Sequence, residues 1–290
     1  MHRAVTMCAD WQVESWEQPS GHAGSQDAKL VWQDPTAGRL RVAVLDGVTP
    51  SQGCRTVVGV DGAMYAAAMV RLALQRPGGA LEQCVLEANR HLHDPSLARS
   101  RDQTQTCVTA VDLFPDGHVE VLRAGDCEAW ARTEQGWVAL GSGTALTADV
   151  AAAWGEWQRR NAGVSRAERH DGEERFLGRP HAWTSTALGR FDPPVLERFT
   201  ADGVLELVLA SDGARLSEPL LDDLPSWLRG LRRWEAQRGH LGRAAEKVHD
   251  DVTVLRLRRA PLEAVAPSTG HAQRHRIANP GSAALGRRAA

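Results

Sequence analysis

The sequence has almost no net charge, no membrane-length apolar run and few aromatic residues other than tryptophan. Its 34 Lys and Arg residues oppose 36 Asp and Glu residues, which leaves a formal net charge of −2 and no chain-wide field to attract nucleic acid or an anionic membrane. The apolar run MYAAAMV at 64–70 is far shorter than the ~20 residues that a membrane span needs. We therefore expect no membrane span and no nucleic-acid partner.

The cysteines lack the spacing of a metal or redox motif. There are five of them, far apart and without a C-x-x-C pair, which excludes a zinc ribbon or a thioredoxin-like site. Motifs of the G-x-S-x-G, P-loop and dinucleotide-binding types are also absent. This pattern favours a reduced, cytoplasmic compartment and excludes serine hydrolases, P-loop NTPases and Rossmann dehydrogenases.

Short apolar segments separated by turns indicate one α+β domain. Ten tryptophans against one tyrosine and four phenylalanines are interpreted as packing residues. The expected elements are a strand at 40–46, helices at 55–75 and 81–93, an antiparallel meander over 105–140, strands at 203–210 and 252–257, and an amphipathic helical stretch at 220–248. We expect a domain over 1–259 with a flap at about 141–182, followed by a basic, disordered tail at 260–290.

Three of the expected strands end or begin at an aspartate. The motifs are Asp46-Gly47, Asp212-Gly213 and Asp250-Asp251. Each alone is typical of a turn, but strand ends of one sheet can converge, and converging carboxylates repel unless a cation neutralises them. All-oxygen ligands suit Mg²⁺ or Mn²⁺ better than zinc.

The order of motifs along the chain resembles the metal-dependent type 2C Ser/Thr protein phosphatases, in a divergent bacterial form. The resemblance covers roughly residues 15–259. It depends on six short motifs in the family's order, which are Gln26-Asp27-Ala28, Val44-Leu45-Asp46-Gly47, Ala124-Gly125-Asp126-Cys127-Glu128-Ala129, Ala187-Leu188-Gly189, Ala210-Ser211-Asp212-Gly213 and Asp250-Asp251-Val252-Thr253-Val254.

The resemblance implies a four-layer α-β-β-α sandwich of two antiparallel sheets flanked by helix pairs, with a dinuclear Mn²⁺ or Mg²⁺ centre at one end. It implies that Asp46 bridges both ions, that the Gly47 carbonyl binds one, and that Asp212 and Asp250 complete the other. Asp27 is implied to hold waters bound to the metals. Two such cations can activate a water that attacks phosphoserine or phosphothreonine in line. The catalytic residues are then Asp27, Asp46 and Asp212.

Several positions depart from the family pattern. Val48-Thr49-Pro50 follows the first Asp-Gly where relatives commonly carry Gly-Gly, and His22 is the nearest match to the arginine that binds substrate phosphate. Asp126 matches the ligand of an accessory third ion, but Leu216 occupies the place of that ion's second carboxylate. The implied centre therefore has two ions, and a third is doubtful.

Two functions remain open from the sequence. The first is a metal-dependent phosphoprotein phosphatase in signalling, whose partners are a phosphorylated protein and, as a further candidate, a Ser/Thr kinase. The second is a pseudophosphatase that binds such a partner without turnover, which the missing arginine and the altered loop after Asp46 favour. The complete set of aspartates favours the enzyme, because a chain released from catalysis has little reason to keep mutually repelling carboxylates.

Overall fold

The computed structural model describes residues 1–20, 25–48, 56–57, 60–93, 104–141, 156, 159–160, 163, 186–190, 192–214, 216–238 and 251–260. Met1–Ala260 form one compact unit. Most of the predicted flap at 141–182, and the predicted tail beyond Ala260, lie outside the described residues.

The strands, in chain order, are β1 (His2–Cys8), β2 (Trp11–Gln18), β3 (Ala28–Gln33), β4 (Leu40–Gly47), β5 (Thr56–Val57), β6 (Val60–Asp61), β7 (Thr106–Leu113), β8 (Val119–Ala124), β9 (Glu128–Thr133), β10 (Gly136–Ala139), β11 (Glu197–Ala201), β12 (Glu206–Ala210) and β13 (Val252–Arg259). They form a six-stranded sheet in the order β1-β2-β13-β12-β9-β10, a five-stranded sheet in the order β11-β8-β7-β4-β3, and the small hairpin β5-β6. Neighbouring strands in these sheets pair antiparallel throughout the described residues.

A pair of helices lies next to each large sheet. Helices α1 (Gly62–Leu74) and α2 (Leu81–Leu92) cover the five-stranded sheet, where α1 contacts β3 and β4. The Asp61 side chain accepts hydrogen bonds from the Ala63 and Met64 amides, which caps α1. A 3₁₀ turn (Asp212–Ala214), α3 (Glu218–Leu221) and α4 (Leu224–Arg238) follow β12.

Three apolar layers hold the molecule together. The middle layer lies between the sheets and includes Val42 and Val44 of β4 with Leu255 and Leu257 of β13. A second layer packs α1 and α2 onto the five-stranded sheet, and a third packs α3 and α4 onto the six-stranded sheet. The predicted four-layer α-β-β-α sandwich is therefore confirmed. In the described part of the chain, no helix is long and apolar enough to cross a membrane.

Some local expectations from the sequence were wrong. The helix predicted from residue 55 begins at Gly62, because 56–57 and 60–61 pair as a hairpin. The predicted meander over 105–140 is divided between the sheets: β7 and β8 pair in the five-stranded sheet, whereas β9 and β10 pair in the six-stranded sheet. Gly125, at φ +90°, stands where the chain passes from one sheet to the other.

Candidate active site

Strand alternation places Asp46 between the two sheets. Val42 and Val44 belong to the middle layer, whereas Ala43 and Leu45 pack towards α1 and α2. Successive side chains of a strand point to opposite faces, so Asp46 points to the same side as Val44. The middle layer thus changes from apolar to acidic at this end of β4.

The six-stranded sheet contributes polar residues at the same level. Leu209 of β12 and Leu255 of β13 lie in the middle layer, so Ser211 and Thr253 continue on that face. The Ser211 amide donates to the Thr253 carbonyl at 2.9 Å, and the Thr253 amide donates to the Ser211 hydroxyl at 3.0 Å. These bonds lock the strand ends together immediately before Asp212.

Asp27 carries a buried carboxylate that the described residues satisfy poorly. Both oxygens are inaccessible to solvent, and neither makes a hydrogen bond of good geometry within the described residues. Burial is the main cause that raises the pKa of Asp27 to about 7, and the charges of Asp251 and Asp212 add to it. The nearby hydroxyls of Ser211 and Thr253 offset part of this rise in pKa. A carboxylate in this condition needs a cation or ordered water.

Four of the predicted site aspartates share one neighbourhood. Burial raises the pKa of the Cys127 thiol well above its ordinary value, and the charges of Asp46, Asp126, Asp27 and Asp212 raise that pKa further. Electrostatic effects of this kind weaken with distance, so these carboxylates, which come from four separate segments, all lie within electrostatic reach of one buried thiol. Asp46 and Asp212, at the ends of two expected strands, thus affect the same residue.

The end of β4, at Asp46-Gly47, has no room for a side chain on Gly47. A Cβ atom on Gly47 would lie 2.8 Å from the Ala63 Cβ and 2.8 Å from the Gln26 carbonyl oxygen. The Gly47 amide donates to that same Gln26 carbonyl at 3.2 Å, and the next amide, of Val48, donates to the Gln105 carbonyl at 3.0 Å. Close packing against α1, rather than a left-handed φ, therefore requires glycine here.

The Ala187-Leu188-Gly189 motif is hydrogen-bonded to the segment at the start of β7 and to α2. Leu188 exchanges two backbone hydrogen bonds with Thr106, at 2.9 and 3.2 Å. Gly189 has φ +85°, and a Cβ there would lie 2.1 Å from the Thr104 carbonyl oxygen. Its amide donates to the buried Asn89 side chain at 2.8 Å. The motif thus connects α2 to the start of β7.

Glu128 is an acidic neighbour that the sequence reasoning did not select. Burial is the main cause that raises the pKa of Glu128, and the charge of Asp212 raises this pKa further. Trp130 donates its indole N–H to the Glu128 carboxylate at 3.0 Å. Leu216, in the place expected for an accessory carboxylate, is buried in the layer under α3 and α4. Only the alternation of β9 could have indicated Glu128.

The remaining predictions are not all tested by the structure. Asp250 and His22 lie outside the described residues. Over the part of the chain that the structure describes, no three His, Cys, Asp or Glu side chains are arranged to hold a metal ion. Cys84 and Arg90 have C-x5-R spacing, but both lie within α2 and Cys84 is fully buried, so they form no phosphate-binding loop.

Comparison with known proteins identifies the fold. No model of a known family and no curated protein sequence matches the chain. Among solved structures, RsbX in complex with magnesium is 11% identical, with a TM-score of 0.55 over 89% of this chain and 99% of that one. The S. agalactiae serine/threonine phosphatase is 16% identical, with a TM-score of 0.55 over 86% and 99% of the two chains.

A third similar structure is the serine/threonine phosphatase Stp1 from Staphylococcus aureus, 13% identical, with a TM-score of 0.53 over 85% of this chain and 94% of that one. At these identities the likeness establishes the architecture. The chain shares the fold of the bacterial type 2C serine/threonine phosphatases and is divergent from them in sequence, as the motif order indicated.

Proposed function

We propose that the chain is a metal-dependent phosphoprotein phosphatase that hydrolyses phosphoserine and phosphothreonine. The observation that carries the proposal is the buried, poorly satisfied Asp27 carboxylate, which lies near the charges of Asp212 and Asp251. Without a neutralising group, this arrangement is costly to the fold. A cation site at this end of the sandwich best explains why the chain keeps the buried Asp27 carboxylate.

The donor set fits two Mn²⁺ or Mg²⁺ ions. Asp46, the Gly47 carbonyl, Asp212 and Asp250 would hold them, and every donor is an oxygen, as hard divalent cations prefer. A third ion on Asp126 lacks support, since Leu216 is apolar and buried. When bound, the ions supply a water of lowered pKa and neutralise the charge on the phosphoryl oxygens.

The chain's own residues orient the reactants. No well-formed protein hydrogen bond occupies the Asp27 carboxylate oxygens, so they are suited to orient the attacking water. The hydrogen-bonded ends of β12 and β13 restrain the backbone next to Asp212, and the Ser211 and Thr253 hydroxyls of these ends lie beside Asp27. His22 would contact the substrate phosphate as a pH-dependent partner, weaker than a bidentate arginine.

The substrate and the compartment belong to the same proposal. The similar structures from S. agalactiae and Staphylococcus aureus are serine/threonine phosphatases, which supports a phosphorylated protein as substrate and a Ser/Thr kinase as a further partner. Cys8, Cys84, Cys107 and Cys127 are free thiols, as suits a cytoplasmic signalling protein.

Hydrolysis of p-nitrophenyl phosphate and of a phosphothreonine peptide tests the proposal. The purified chain starts in chelator, Mn²⁺ is titrated in, and Asp212→Ala is compared with Asp223→Ala, an exposed aspartate in the turn before α4. We expect metal-dependent turnover in the wild type and in Asp223→Ala, and none in Asp212→Ala. Binding of Mn²⁺ without turnover of either substrate would favour the pseudophosphatase, and equal activity of the two variants would contradict the assigned site.

A further inference from the structure

Asp251 ties the last strand to the segment that precedes Asp27. Its two carboxylate oxygens accept separate backbone hydrogen bonds, from the Ser20 amide at 2.6 Å and from the Gln26 amide at 2.8 Å. The residue is only 2% exposed. Backbone bonds to a buried carboxylate are strong and orient both partners, so the position of Gln26 depends on the position of Asp251.

Gln26 continues this connection to the opposite sheet. Its carbonyl accepts the hydrogen bond from the Gly47 amide at 3.2 Å. Its side-chain amide lies 3.4 Å from both carboxylate oxygens of Asp61, the residue that caps α1. One peptide therefore links β13 of the six-stranded sheet to the end of β4 in the five-stranded sheet, immediately beside Asp27.

We infer that Asp251 is a positioning residue that sets the spacing between the two halves of the site. The inference rests on the proposed function, because the halves it connects carry Asp46 and Gly47 on one side and Asp212, next to the β12–β13 pair, on the other. A carboxylate is needed because both oxygens accept an N–H. Asparagine would keep one acceptor and place an NH₂ group against the second amide.

The substitution Asp251→Asn tests the inference, with Asp34→Asn as the matched control. Asp34 is also a buried aspartate that accepts backbone N–H groups, from Thr36 at 2.9 Å and Ala37 at 3.2 Å, but it lies in the β3–β4 turn at the opposite end of the sheet. Both variants lose one buried carboxylate charge and an acceptor of backbone N–H groups, and Asp34→Asn in addition loses an ion pair with Arg39 at 3.3 Å and an acceptor of the Gly78 amide. Only Asp251→Asn alters the connection between the sheets.

Two measurements are made on the full chain. Amide hydrogen exchange reports the protection of Gln26 and Gly47, and calorimetry reports Mn²⁺ affinity. For Asp251→Asn we expect faster exchange at both amides and Mn²⁺ affinity lower by roughly 10- to 100-fold, the usual effect of removing a residue that orients metal ligands. For Asp34→Asn we expect wild-type exchange at Gln26 and Gly47 and wild-type Mn²⁺ affinity.

The outcomes separate this inference from the proposed function. If the wild type binds Mn²⁺ without turnover, the phosphatase proposal fails, and the Mn²⁺ affinities of the variants still decide the role of Asp251. If the wild type binds no Mn²⁺, the hydrogen exchange of the Gly47 amide alone tests the positioning role of Asp251. Unchanged Gly47 protection in Asp251→Asn, or an equal loss of Mn²⁺ affinity in both variants, overturns the inference.

Discussion

Thr106 and Asp46 are joined across the β4–β7 pair, where the Thr106 hydroxyl lies 2.9 Å from the main-chain carbonyl oxygen of Asp46 and donates to it. The same hydroxyl lies 3.0 Å from the Cys107 carbonyl, so its single hydrogen is shared between two acceptors. Thr106 is fully buried and also pairs with Leu188. It therefore links the Asp46 turn to the segment around Gly189.

Replacing Thr106 tests this link. Thr106→Val keeps the shape but removes the donor, and we expect the free energy of unfolding in urea to fall by about 1–2 kcal/mol. Mn²⁺ affinity should fall with it, since the Asp46 backbone loses a restraint. Thr106→Ser keeps the hydroxyl and should keep the wild-type Mn²⁺ affinity, although it loses a buried methyl group. The same loss of affinity in both variants would contradict the link.

Asp27→Asn should stabilise the metal-free protein at neutral pH and above. The pKa of Asp27 is raised, mainly by burial, from 3.8 to about 7. Between these pH values the folded chain holds a proton that the unfolded chain has released, so stability falls as the pH rises towards 7. Asparagine does not titrate, and its advantage should grow over this window to at most about 4 kcal/mol.

Thermal unfolding in chelator, between about pH 5 and pH 8, measures this advantage. Added Mn²⁺ should stabilise the wild type more than Asp27→Asn, because only the carboxylate is neutralised by a cation. Parallel stability curves for the two proteins across the pH range would show that Asp27 does not titrate as described.

Gly47→Ala should disturb both packing and the site. The new methyl group would meet the Ala63 Cβ and the Gln26 carbonyl at 2.8 Å, and we expect a loss of about 1–3 kcal/mol in urea unfolding. Gly230→Ala in α4 is the control, since nothing lies within 4 Å of its added Cβ. That variant should gain about 0.5–1 kcal/mol from helix propensity and leave hydrolysis unchanged. Destabilisation by Gly230→Ala would contradict this packing argument.

Arg41 and Asp112 form a fully buried ion pair on the face of the five-stranded sheet that α1 and α2 cover. The guanidinium donates from Nε to Oδ1 at 2.6 Å and from Nη2 to Oδ2 at 2.8 Å, and Nη1 donates to the Leu74 carbonyl at 2.9 Å. Arg41→Met should cost about 3–5 kcal/mol, because it leaves Asp112 buried with less compensation.

Replacing both partners, in Arg41→Met with Asp112→Leu, should recover part of that loss, as a double-mutant cycle in urea will measure. Mn²⁺ affinity should stay at the wild-type value in every folded variant, since Arg41 lies near the end of β4 opposite Asp46. If the double variant loses more free energy of unfolding than the two single variants lose together, this account is contradicted.

The strand ends that carry Asp46 and Asp212 were predictable because the signal is local. In each case a branched or leucine-rich run stops at Asp-Gly, which predicts a buried strand that ends at the acid. The hairpins around 115–117 and 134–136 were local signals for the same reason, and the structure has both.

Long-range pairing was not available from the sequence. The role of Asp251 depends on amides more than 200 residues earlier in the chain, at Ser20 and Gln26. Strand β1 is exposed along almost its whole length and lacks an apolar face, so its pattern does not predict a strand. The division of 105–140 between two sheets likewise depends on β11, which pairs with β8, and on β12, which pairs with β9.

Strand β13 has a consequence for the order in which the molecule is made. It lies between β2 and β12, so the last strand of the compact unit is an interior strand of its sheet. During synthesis on the ribosome, β2 therefore waits with an open edge until Val252–Arg259 emerges to pair with it. Asp251 arrives with the same strand. The Ser20 and Gln26 amides therefore gain their carboxylate acceptor only when this last strand pairs.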